Sequence, residues 1–71
     1  MSNQTETLVK MINQIAENTP SNGDSDAAAD AVVAHVKKFW ARPMKIIIKE
    51  YLSSSNGNEL VKIAEKAILR L

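Results

Sequence analysis

The side chains best equipped for chemistry in this sequence lie in one segment, His35-Val-Lys-Lys-Phe-Trp-Ala-Arg-Pro-Met-Lys45. It holds the only His, the only Phe and the only Trp of the chain. An imidazole can carry a proton or serve as a pH switch. Adjacent aromatics with cations can stack on bases or anchor a protein partner. Catalysis by a nucleophile would also need a base and a group to orient it. The helical neighbours of His35 are Val32, Ala31, Lys38 and Phe39, and none is a carboxylate. A half-buried histidine near a helix end and a proton-transfer or sensing role are both open readings of His35.

The other ingredients of an active site are missing. The carboxylates Glu6, Glu17, Asp24, Asp26, Asp30, Glu50, Glu59 and Glu65 are scattered. Asp26 and Asp30 stand one helical turn apart, which fits a solvated face or a partner for the helix dipole better than a metal site. No glycine-rich phosphate loop exists, and without cysteine there is neither a disulfide nor a thiolate metal site. An enzyme acting alone is not the expectation.

Phe39 and Trp40 would point about 100° apart on a helix, too far for one narrow apolar stripe to bury both. One of them is expected to serve a surface. Net charge is only +1, which argues against bulk attraction to a polyanion. The distribution is uneven: residues 1–36 carry net −4 and residues 37–71 net +5, with five cations and no acid from Lys37 to Lys49. That basic run reads as a solvated face, a phosphate-binding patch or a protein-docking patch.

The elements that position these residues are helical throughout. Leu8, Met11, Ile12 and Ile15 set a first helix over about 5–17, and residues 1–4 are expected to be disordered. Pro20 and Gly23 mark a polar, mobile loop over about 18–24. A second helix starts at an Asp24 or Ser25 cap and runs to about Trp40, burying Ala29, Val32, Val33, Val36 and one of the two aromatics. Pro43 breaks it and opens a third helix to about Leu52, with Met44, Ile47, Ile48 and Tyr51 inward. Residues 53–57 stop that helix. A fourth runs from an Asn58 cap to near Arg70, burying Leu60 or Val61, Ala64, Ile68 and Leu71.

The expected fold is therefore all-α, a single domain of three to four short helices spanning residues 1–71. Such a short chain buries only about 60% of the surface it exposes unfolded. Val9, Ile46 and Ile63 fall beside the main stripes, and this spare apolar surface suggests packing against another chain. The longest apolar run, Ile46 to Ile48, is far too short for a bilayer. No signal peptide is read near the N-terminus. The expectation is a cytoplasmic protein.

Three pieces together resemble the delta subunit of NAD-dependent formate dehydrogenase. They are Leu8-Val-Lys-Met-Ile-Asn-Gln-Ile-Ala16, His35-Val-Lys-Lys-Phe-Trp40 followed by Arg, Pro and Met, and Leu60-Val-Lys-Ile-Ala64 after an Asn-Gly turn. They cover nearly the whole chain in the family's order. The sequence departs from the family's more frequent Trp-x-Pro-Arg-Met-Arg by transposing Arg42 and Pro43. Glu17 and Asn18 stand where aromatics are often found, and Glu59 where Pro is common.

The resemblance implies an accessory subunit of a cytoplasmic molybdenum or tungsten complex that oxidises formate and passes electrons through iron–sulfur centres and flavin to NAD. The metal-pterin site would belong to the large alpha subunit, with no cofactor in this chain. Assembly, cofactor maturation or stabilisation of the complex are the roles implied. Carried over by position, the partner-facing residues are Asn13, Gln14, His35, Phe39, Trp40, Pro43 and Met44, with Arg42 and Lys45 as displaced equivalents. A helical nucleic-acid-binding module using Lys37–Lys49, and a homodimer burying its own Ile and Trp faces, are the rival readings.

Overall fold

The computed structural model describes residues 3–20, 22–55 and 59–71 of the chain. Four helices follow one another: α1 (Asn3–Glu17), α2 (Ser25–Phe39), α3 (Arg42–Ser55) and α4 (Lys62–Leu69). No strand occurs among the described residues, and the fold is the all-α bundle the apolar spacing predicts. The Cα radius of gyration is 11.1 Å, matching the roughly 11 Å expected of a compact chain this long.

Each boundary has a local cause. Thr19 donates its hydroxyl to the Ile15 carbonyl at 2.7 Å, covering an acceptor left open where α1 ends. The chain then turns through Asn22 (φ 49°) and Gly23 (φ 84°), two residue types that tolerate the left-handed region. Asp24 is the N-cap of α2: its carboxylate accepts from the N–H groups of Asp26 and Ala27, both at 3.1 Å. Trp40 ends α2 in an extended conformation (φ −92°, ψ 137°). Two residues later α3 begins, with Pro43 in its first turn, where a missing N–H costs no helical bond.

Several boundaries differ from those expected. Asn3 and Gln4 are helical, whereas Met1 and Ser2, also expected to be disordered, lie outside the described residues. The third helix continues to Ser55 rather than stopping near Leu52, and Ser54 bonds back to the Glu50 carbonyl at 2.8 Å in its last turn. The proposed cap Asn58 lies outside the described residues. The fourth helix starts at Lys62, after an extended Val61 that offers no side-chain cap. Tertiary bonds explain the delay. Asn13 and Tyr51 hold the backbone of Glu59 and Val61, so this stretch approaches α4 in an open conformation.

α2 and α4 make the most extensive pairing, and α1 touches all three other helices. Ala28, Ala29, Ala64 and Ala67 are buried on α2 and α4, and such small side chains let two helices approach closely. Larger residues fill the centre: Ile12, Val32, Val36, Ile48 and Ile68 are almost wholly enclosed. Among the described residues every buried side chain is apolar. Val9, expected beside the stripe, is buried at 5% exposure. Contacts with three helices widen the inward arc of α1 beyond what one partner would require. Met11, expected inside, is instead 39% exposed. On α4, Ala64 and Ile68 are buried as expected, with Ala67 joining them, while Leu60, Val61 and Leu71 are only partly buried.

Candidate partner-docking site

The two adjacent aromatics take opposite fates. Trp40 is 5% exposed and belongs to the core, whereas Phe39 is 65% exposed. Trp40 is the cap residue, and its extended backbone turns the indole out of the helical register onto the core. Phe39, the last residue of α2, keeps its helical direction and faces out. Of the two, Phe39 is the ring that presents most of its surface to the outside.

Phe39 is held in place rather than left loose. His35 lies one turn before it, the two ring centroids are 4.8 Å apart and the planes are tilted by 43°. The Lys38 ammonium sits 5.6 Å from the centroid of the Phe39 ring, within cation–π range. His35 is itself exposed rather than half-buried.

Phe39 borders a cleft of about 460 Å³ where the ends of α1 and α2 meet the start of α3. Met11, Gln14, Ile15 and Asn18 form the α1 side, His35 and Phe39 the α2 side, and Trp40 and Met44 the remainder. Five sequence-derived interface residues, Gln14, His35, Phe39, Trp40 and Met44, therefore converge on one site. Met11, Ile15 and Asn18, not among the residues expected there, line it as well. Together with Gln14 they fall at i, i+3, i+4 and i+7, a second stripe along α1 that the sequence does contain.

The other four expected residues do not line the cleft. Arg42 and Pro43 are exposed and Lys45 is half-buried, all on the first turn of α3. Asn13 is directed inward: its Nδ2 donates to the Glu59 carbonyl at 2.8 Å and its Oδ1 accepts from the Val61 N–H at 2.9 Å. That amide is engaged by this chain's own backbone.

Charge is separated along α2. At its N-terminal end Asp26 accepts from Lys66 at 3.3 Å and from Arg70 at 2.9 Å, and Asp30 from Arg70 at 2.6 Å. The Lys66 hydrogen bond and charge, with the Arg70 charge, hold the Asp26 carboxyl below its ordinary value of 3.8. Bonding to Asp30 raises the Arg70 guanidinium correspondingly. This network was not foreseen; the signal was two acids on one helix and two cations at spacing i, i+4 on another. At the opposite end of α2, about 20 Å away at 1.5 Å per residue, the cations Lys37, Lys38, Arg42 and Lys45 have no ion pair among the described residues.

The sequence lacks cysteine, and the described residues contain no group of three or more His, Asp or Glu placed to hold an ion. No described helix is long and apolar enough to cross a membrane. What the site can do is offer another molecule an apolar floor and an aromatic wall, with a cationic border on the adjoining residues: Lys38 against the Phe39 ring, and Lys37, Arg42 and Lys45 near lining positions in the sequence.

Neither the curated proteins nor the solved structures contain a match to this chain. A family model does match, that of the NADH-dependent formate dehydrogenase delta subunit FdsD, aligned over residues 7–68. The aligned span runs from the second turn of α1 nearly to the end of α4 and includes every residue lining the cleft. By that extent of agreement the chain belongs to the formate dehydrogenase delta-subunit family.

Proposed function

We propose that this protein is a non-catalytic accessory subunit of an NAD-dependent formate dehydrogenase complex with a molybdenum or tungsten centre. It docks on the large alpha subunit and aids assembly, cofactor maturation or stability of the complex. Family membership supplies the complex. The observation that carries the docking role is Phe39, a large aromatic kept 65% exposed beside an apolar cleft, while the adjacent Trp40 packs into the core with only 5% of its surface exposed. Formate oxidation and electron transfer belong, on this reading, to the other subunits.

The test is purification of the tagged chain from its native host, with mass spectrometry of what accompanies it. Recovery of a molybdopterin subunit with its iron–sulfur and flavin partners is the expected result. Recovery of the chain alone as a dimer whose melting temperature rises with concentration would replace this reading with a homodimer. Nucleic acid in the eluate, released steeply by salt, would replace it with a basic-patch binder.

A further inference from the structure

We infer that the α1–α2–α3 cleft seats an acidic, amphipathic segment of the partner subunit, its bulky apolar side chain entering beside Phe39 and its carboxylates facing the cationic border. This rests on the docking role proposed above and specifies its chemistry. The apolar part of the argument is the cleft itself: Met11, Ile15, Trp40 and Met44 offer thioether, aliphatic and indole surface. Methionine adapts its shape to an incoming side chain. The His35 and Lys38 contacts hold Phe39 before binding, which lowers the entropy lost when a partner packs against it.

Charge decides the kind of segment. Within three residues of the lining positions stand Lys10, Lys37, Lys38, Arg42 and Lys45, against the single acid Glu17. Lys37 and Lys38 are explained by the fold, since cations at a helix C-terminus meet the negative end of its dipole. Arg42 and Lys45 are not. They occupy the opening turn of α3, which contains no acid, so they add to the positive end of that helix. The fold tolerates this arrangement without a single compensating ion pair among the described residues. The acidic end of α2, by contrast, is neutralised internally by Lys66 and Arg70. A carboxylate-bearing partner completes at the basic end what α4 completes at the acidic one.

The experiment uses the chain within its native complex. Phe39→p-benzoylphenylalanine and, as a control on another face, Leu69→p-benzoylphenylalanine are each incorporated, irradiated, and the adducts mapped by mass spectrometry; Leu69 is 74% exposed. In parallel, Lys38→Glu/Arg42→Glu is measured for binding to complex purified without this chain, with helicity checked by circular dichroism. The expected result is an adduct from position 39 to an acidic segment with apolar anchors, and a loss of affinity of about tenfold or more on charge reversal. An adduct to a neutral or basic segment, or charge reversal without effect, overturns the acidic inference while the docking role stands. Adducts from position 69 alone, or from position 39 to a second copy of this chain, overturn the cleft as the partner's seat. Failure of the unmodified chain to accompany the complex overturns the docking role itself.

Discussion

Asn13 and Val61, 48 residues apart in sequence, are joined by a 2.9 Å hydrogen bond from the Val61 N–H to the Asn13 Oδ1. The same side chain donates from Nδ2 to the Glu59 carbonyl at 2.8 Å, so one amide grips the backbone on both sides of Leu60. This pins the approach to α4 against α1. Asn13→Ala removes both bonds and leaves a part-buried N–H without its acceptor. A loss of about 1–3 kcal/mol is expected, read as a lower urea midpoint with an unchanged slope. Asn13→Asp keeps the acceptor for Val61 but turns a carboxylate oxygen onto the Glu59 carbonyl, where the donor stood, and should also lower the midpoint.

The aromatic pair offers a way to separate stability from the proposed docking. Trp40→Ala empties a core site and should cost about 3–5 kcal/mol, enough to unfold a domain of this size or nearly so. Phe39→Ala should change stability by only about 0.5 kcal/mol while weakening attachment to the complex. Thermal denaturation of both variants, set beside co-purification of the Phe39 variant, checks the assignment. Equal destabilisation by the two substitutions would contradict it.

Acid should weaken the fold partly through Asp26. Its pKa is lowered in the folded state, with the Lys66 bond the foremost cause. A depressed carboxyl contributes stability that is fully present above its ordinary value of 3.8 and is lost as pH falls through the lower folded value. The urea midpoint of the wild type should therefore drop between pH 6 and pH 3 by more than that of Asp26→Asn. Because Asp26 is solvent-exposed, the difference should shrink in 1 M salt.

The α2–α4 contact depends on small residues. Ala64 is fully buried there, and Ala64→Leu would force the helices apart or push the new side chain off its rotamers. A cost of about 1–3 kcal/mol is expected, measurable by calorimetry. The same change at exposed Ala31 should be nearly neutral.

Much of the cleft was legible in the sequence because residues close together on a helix stay close in space. The segment from His35 to Met44 surrounds a chain break at Pro43, and local rules place that break. The α1 half of the cleft was not legible in the same way. Met11 and Ile15 satisfy the core periodicity of α1 as well as they satisfy a surface stripe. Only the directions from which α2, α3 and α4 press on α1 turn Val9 inward and leave Met11 at the opening.

By itself the sequence determined three to four helical segments, a cap at Asp24 or Ser25, the break at Pro43, the basic run from Lys37 to Lys49 and the family's motifs. These depend on apolar period, backbone chemistry and residue order, which act over a few residues. Tertiary structure alone decided that Trp40 is core and Phe39 surface, because both choices satisfy the end of α2 until a neighbouring helix supplies somewhere to bury one. It also decided that Asn13 serves the chain's own backbone and that Asp26 and Asp30 meet Lys66 and Arg70. Each of those pairings closes a loop of 40 or more residues, and no local preference records where the far end of such a loop returns.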